Sequence, residues 1–156
     1  MSIIITQAHG EQDMDIVREL FVEFQKAINV DLCFQDFEKE LAEMPGNYAP
    51  PRGGLFLARE GEDVAAVIGV RPLEDRKAEM KRLYVRSGWR GHGLGRRLAD
   101  TAVSTASKAG YSTICLDTLE FMDEARALYL SMGFREIPAY YDNPLDGVVY
   151  MELSLV

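Results

Sequence analysis

Apolar positions along the chain change their spacing in a way that marks strands alternating with helices. Ile3-Ile4-Ile5-Thr6 is an apolar run of strand length, followed by the turn-like His9-Gly10-Glu11. Val17, Leu20, Phe21, Phe24, Ala27 and Ile28 then recur at three and four residues, the period of one helix face. Phe34, Phe37 and Leu41 mark a shorter helix that Met44-Pro45-Gly46 stops. Asn47 to Gly54, rich in proline and glycine, reads as a loop too short to separate domains. Leu55 to Arg59 and Val64 to Val70 read as a hairpin across Glu60-Gly61-Glu62-Asp63. The second of these strands is apolar throughout, which predicts cover on both faces, and Arg71-Pro72-Leu73 ends it.

The strand from Ala78 to Val85 breaks strict alternation, because Met80 and Leu83 are three residues apart. A bulge near Lys81-Arg82 adds one residue and lets the two share a face. Leu94 to Ala109 reads as a helix with Leu98, Ala102, Thr105 and Ala109 along one side and Gly110 as its C-terminal cap. Tyr111 to Asp117 is then a strand parallel to Ala78 to Val85, completing a right-handed crossover unit. Met122 to Met132 is the last helix, with Asp123 and Glu124 in its first turn and Ala125, Leu128, Tyr129 and Met132 inward. Gly133 ends it, and Phe134 to Tyr141 pairs with Val148 to Leu155 across Asn143-Pro144-Leu145-Asp146-Gly147.

A length of 156 residues suits one domain over 1–156, able to bury around two thirds of its unfolded surface. Cys33 and Cys115 are unclustered and no histidine stands at ligand spacing, so no metal site or disulfide framework is expected, and a reducing, cytoplasmic setting suits the chain. No basic region precedes Ile3-Ile4-Ile5 and no apolar stretch approaches the length of a membrane span, which argues against a signal peptide and a membrane partner.

Charge changes the picture more. The net charge is −8, yet Lys81 to Arg97 holds six basic residues and no acidic one, leaving 11 basic against 25 acidic residues elsewhere. An acidic body with one basic patch disfavours nucleic acid and favours a compact polyanion. The patch contains Arg90-Gly91-His92-Gly93-Leu94-Gly95-Arg96-Arg97, where glycines let backbone amides approach a ligand at the start of a helix. A dinucleotide fingerprint needs glycine where Arg96 stands, and a P-loop needs Gly-Lys-Ser/Thr where Gly93-Leu94 stands.

What remains is R-x-x-G-x-G at Arg90, Gly93 and Gly95, which resembles the coenzyme A pyrophosphate loop of the GNAT family, the GCN5-related N-acetyltransferases. A second stretch, Ala125-Arg126-Ala127-Leu128-Tyr129 followed by Gly133-Phe134, resembles the other signature of that family. The resemblance covers Ala78 to Phe134 most closely. One departure is Met122, which stands where many members carry an asparagine that bonds the pantetheine arm.

The resemblance implies an α/β fold, with a mixed, mostly antiparallel sheet, a splayed parallel strand pair and helices on both faces. It implies transfer of an acetyl group from acetyl-coenzyme A to a primary amine, without a metal. Leu83, Tyr84, Val85, Arg90, Gly91, His92, Gly93, Leu94, Gly95 and Arg96 are the residues it assigns to the cofactor. Tyr129 is the expected proton donor to the departing thiolate. Glu79 is the candidate base, since an ammonium must lose a proton before it attacks; pairing with Lys77 or Lys81 is its competing role. Arg71, Tyr140 and Tyr141 are candidates for the acceptor pocket, Arg71 as a partner for a substrate carboxylate or as a solvated strand-end arginine. Trp89 either covers the cofactor or packs on the helix. A small amino acid or amine metabolite is the expected acceptor, with a protein lysine or N-terminus, or a non-catalytic coenzyme A sensor, as alternatives. The resemblance also admits a homodimer.

Overall fold

The computed structural model describes residues 2–29, 32 and 36–156. Its strands are β1 Ile3–Gln7, β2 Gly54–Glu60, β3 Asp63–Glu74, β4 Lys77–Val85, β5 Thr113–Leu119, β6 Arg135–Ile137 and β7 Val148–Ser154. Its helices are α1 Gly10–Ile28, α2 Phe37–Ala42, α3 Leu94–Lys108 and α4 Asp123–Ser131. The strands form one sheet in the order β1-β2-β3-β4-β5-β7-β6. Neighbours are antiparallel except β4 and β5, which run parallel and are joined through α3.

The uniformly apolar β3 is covered on both sides, as its pattern predicts. Ile68 and Val70 join a cluster with Leu94, Leu98, Ala99, Ala102 and Ala106 of α3. Val67 joins the opposite cluster with Met14, Val17, Leu20 and Phe21 of α1. Complete burial of Leu20 and Phe21 stabilises the fold by about 1.5–3 kcal/mol per side chain. Alanines on α3 let that helix lie close to the sheet, and α4 joins the same cluster through Ala125, Leu128 and Tyr129.

The expected irregularity in β4 is present. Val67 pairs with Tyr84 and Gly69 with Lys81, so Arg82 and Leu83 together oppose Ile68. Arg82 takes the left-handed conformation, φ 62°, and Met80 and Leu83 consequently pack into the same cluster. On its other edge β4 pairs with β5 only from Lys77↔Thr113 to Glu79↔Cys115. Past that point the strands carry no ladder, and a wedge opens between them.

Several boundaries differ from expectation. β3 does not stop at Arg71 but continues to Glu74. Pro72 is tolerated because β2 ends opposite Val70, so beyond it β3 is an edge strand with no donor to lose on that side. β6 ends at Ile137, where Pro138 follows, so Tyr140 and Tyr141 lie in a loop rather than a strand. The buried stripe of α3 includes Ala99 and Ala106, while Thr105 and Ala109 are half-buried. Ala27 is exposed to the wedge side instead of the core. The predicted loop after Pro45 begins as a 3-10 turn at Gly46–Tyr48, with Tyr48 buried. Cys33 and Phe34 lie outside the described residues.

Candidate active site

The wedge between β4 and β5 is a cleft of about 830 Å³. β4 from Met80 to Val85 forms one wall, β5 from Leu116 to Leu119 the other, and α4 closes the side with Leu128 and Tyr129. At its outer end stand Trp89, Arg90, Gly91, Gly93, Leu94, Gly95 and Arg96. Nine of the ten cofactor residues expected from sequence therefore meet here; His92 is exposed and outside the lining.

The outer end has the features of an anion seat. Gly91 and Gly93 adopt φ 82° and 75°, conformations that disfavour a side chain. A Cβ built at either would meet no atom within 4 Å, so both open onto free space. Gly93 caps α3, whose 15 residues direct unpaired first-turn amides and a positive dipole end toward that space. Arg90 is oriented by its own Nε, which donates to the Val85 carbonyl at 2.9 Å, and Arg96 donates to the Ser131 hydroxyl at 3.2 Å. Arg97 turns away and donates to the Ile3 carbonyl at 2.9 Å. A pyrophosphate fits this seat, and the apolar walls inward of it, Leu83, Leu116 and Leu119, fit an uncharged arm.

Tyr129 lines the cleft, and its ring is buried against Phe134, centroids 5.7 Å apart. Burial, reinforced by the Asp117 carboxylate, raises its pKa well above the ordinary phenol value, so it stays protonated at neutral pH. Trp89 lines the cleft, packs against the α3-side cluster and donates its indole N–H to Glu60 at 3.3 Å. Met122 also lines the cleft, its sulfur 3.8 Å from the Thr118 hydroxyl.

Glu79, the candidate base, is buried on β4 at 2 % exposure. Its carboxylate accepts from Arg71 Nε at 3.0 Å and from the Tyr140 hydroxyl at 2.6 Å, with Lys81 Nζ 4.0 Å away. It does not line the main cleft. Instead it borders a second, polar cavity of about 400 Å³, together with Glu40, Glu43, Tyr48 and Arg71. Arg71 is neither solvated nor free, since its NH1 also lies 3.6 Å from Glu40. Tyr140 and Tyr141 border neither cavity and act through their hydroxyls on Glu79 and Asp117.

Sequence reasoning missed Asp117 and Lys81. They form a nearly buried ion pair, Nζ to Oδ1 3.3 Å, on the floor of the cleft. Burial would raise the Asp117 carboxyl, but the Lys81 ammonium and the Tyr141 hydroxyl outweigh it and hold its pKa below the usual range. Burial pulls the Lys81 pKa down against the opposing pull of Asp117 and Glu79. The available signal was an acid at the end of an apolar strand, Ile114-Cys115-Leu116-Asp117, and a lysine inside a predicted core strand.

The model of the Acetyltransferase (GNAT) family matches residues 14–134. The chain is 38% identical over 156 residues to an uncharacterized N-acetyltransferase of Schizosaccharomyces pombe, covering 99% of this chain and 96% of that protein. Among solved structures, a GNAT-family acetyltransferase from Staphylococcus aureus superposes with a TM-score of 0.82 at 24% identity, over 99% of this chain and 100% of that one. A Bacillus subtilis acetyltransferase in complex with CoA gives a TM-score of 0.71 at 21% identity, over 99% and 100% respectively. At those identities the structural likeness speaks for the fold.

Proposed function

The chain belongs to the acetyltransferase (GNAT) family, and we propose that it transfers acetyl from acetyl-coenzyme A directly to a primary amine of a small metabolite in the cytoplasm. The observation that carries this reading is the cleft itself: an anion seat at one end, an apolar slot between diverging strands, and a protonated tyrosine on its wall. Acetyl-coenzyme A, when bound, supplies an activated acyl carbon. The Tyr129 hydroxyl donates a hydrogen bond or a proton to the departing thiolate. A thiol pKa near 8.5 against a phenol near 10 makes full transfer uphill by about 2 kcal/mol even before burial, so hydrogen bonding dominates. Glu79 borders the second cavity and not the donor cleft, so we assign it the proton that the acceptor ammonium must lose by way of an intervening water.

The size of that second cavity supports a small acceptor, because about 400 Å³ lies in the range of small-molecule sites. Of an amino acid and a simple amine, the amine is favoured. Arg71 is already engaged by Glu79 and Glu40, and a substrate carboxylate would have to displace one of them. The buried free thiol of Cys115 supports a reducing compartment.

The test is thiol release from acetyl-coenzyme A over a panel of small amines and lysine or N-terminal peptides. Turnover with small amines is expected, and Tyr129→Phe, which removes one hydrogen-bond donor to the developing thiolate, should lower it by roughly 10²–10³-fold with little loss of thermal stability, since the buried ring is retained. Preferential acetylation of peptides would transfer the reading to a protein acetyltransferase. Stabilisation by coenzyme A without product from any acceptor would make the chain a sensor.

A further inference from the structure

The parallel ladder of β4 and β5 stops at Glu79↔Cys115, and two residues further each strand carries an ionisable side chain in matching register, Lys81 and Asp117. Where backbone bonds are lost, these side chains meet at 3.3 Å. Both line the main cleft although the lysine side chain is only 3% and the aspartate side chain 13% exposed. The pair is braced from outside: Tyr141 donates to the second carboxylate oxygen and itself accepts from Asn143 at 2.9 Å. The walls next to the pair are apolar, with Met80, Leu83 and Leu116. The anion seat lies at the opposite end, past Val85, and Lys81 stands about 13 Å back along the strand from Val85 at roughly 3.3 Å per residue. A molecule anchored by its phosphates at Arg90–Arg96 therefore points its far end at a fixed, charged floor.

We infer that the Lys81–Asp117 pair is the end-stop of the donor slot and makes the enzyme selective for acetyl over longer acyl groups. The inference rests on the acetyl-coenzyme A reading for the direction in which the thioester enters. An acetyl group ends short of the pair. A longer chain must press methylenes against an ammonium and a carboxylate, or force apart a 3.3 Å contact between two nearly buried charges, which is strongly unfavourable. In an apolar slot each added methylene would instead strengthen binding by roughly fourfold. Lys81 and Asp117 are thus specificity-determining residues.

Titration calorimetry with coenzyme A, acetyl-coenzyme A and butyryl-coenzyme A tests this without any acceptor. The unmodified protein is expected to bind the butyryl donor more weakly than the acetyl donor. In Lys81→Ala/Asp117→Ala, where both charges leave together, the butyryl-to-acetyl affinity ratio should rise by roughly fifteenfold, the worth of two buried methylenes at about fourfold each, while coenzyme A itself binds as before. If that variant does not fold, Lys81→Ala/Asp117→Asn keeps an acceptor for the Tyr141 hydroxyl and is read the same way. Equal weakening of all three ligands would reveal a merely structural pair and overturn the inference, as would equal affinity of the unmodified protein for both acyl donors. Failure of the amine-transfer reading appears elsewhere, as absence of product, and leaves the calorimetric ratio intact.

Discussion

Glu40 should be among the most costly single residues to remove, although α2 has only six residues. Its carboxylate accepts from Arg82 Nε at 3.2 Å and NH2 at 3.0 Å, from the Tyr48 hydroxyl at 3.0 Å, and lies 3.6 Å from Arg71 NH1. Its side chain is 7% and that of Arg82 3% exposed. Arg82 is also the left-handed residue of the β4 bulge, a conformation costing about 1–2 kcal/mol. The bidentate pair offsets that strain and ties α2 to the residue that makes β4 diverge from β5. Glu40→Ala leaves a guanidinium in a site it cannot hydrate, a change that costs about 3–5 kcal/mol in buried pairs. For a chain of this length each kcal/mol lowers Tm by about 2–4 °C, so a fall of about 6–20 °C is expected by calorimetry or circular dichroism. Acetyl-coenzyme A affinity should fall as well, because the bulge shapes the slot. Replacing both partners, Glu40→Leu with Arg82→Met, should recover much of the stability, since removing a buried pair together is far less harmful than removing half of it. A Tm loss under about 2 °C, or a double variant no more stable than the single one, would refute this account.

Two further outcomes follow from the same geometry. Gly93→Ala places a Cβ at φ 75° in open space, so stability should fall by only about 1–2 kcal/mol, while coenzyme A affinity falls further because the methyl occupies the anion seat; an unchanged Kd would exclude Gly93 from that seat. Burial pushes the Cys115 thiol up to about 11, so alkylation of its peptide, followed by mass spectrometry, should be negligible in the native protein near neutral pH and rise with each pH unit toward 11. The sign for stability is the reverse: between the ordinary thiol range and about pH 11 the native state keeps a proton that the unfolded chain has lost, so stability declines as pH rises through that window. Native alkylation at neutral pH as fast as in denaturant would contradict the burial.

The elements that were legible in sequence are those set by local periodicity or by a local motif. The α1 face, the apolar β3 and the bulge at Arg82 follow from spacing alone, because each reports which side of one element meets the core. The anion seat was legible because its parts are contiguous, with glycine conformations and a helix start inside one short segment. Arg71 illustrates the opposite case. As a strand-end arginine it suggested a free partner for a substrate, but two carboxylates from α2 and β4 converge on it. Pro72 suggested an end to β3 because sequence does not show that β2 stops at Gly54 and leaves that side of β3 unpaired.

The charge network is the least local feature, and it answers a physical problem created by the fold. Opening a cleft between β4 and β5 forfeits ladder hydrogen bonds in the middle of a sheet. Side chains span the gap instead. Lys81 of β4 meets Asp117 of β5, and the adjacent Tyr140 and Tyr141 bond to one strand each, Tyr140 to Glu79 and Tyr141 to Asp117. Those two rings pack edge-on against each other and against Tyr150 of β7, with centroids 5.2–5.6 Å apart, which fixes the loop that carries them. Shortening β6 to three residues frees Tyr140 and Tyr141 from strand alternation, so that neighbouring side chains need not point to opposite faces of the sheet and can reach the same apex. The early end of β6 and the wedge in the sheet are therefore two halves of one arrangement: one strand stops so that its chain can brace the place where two others part.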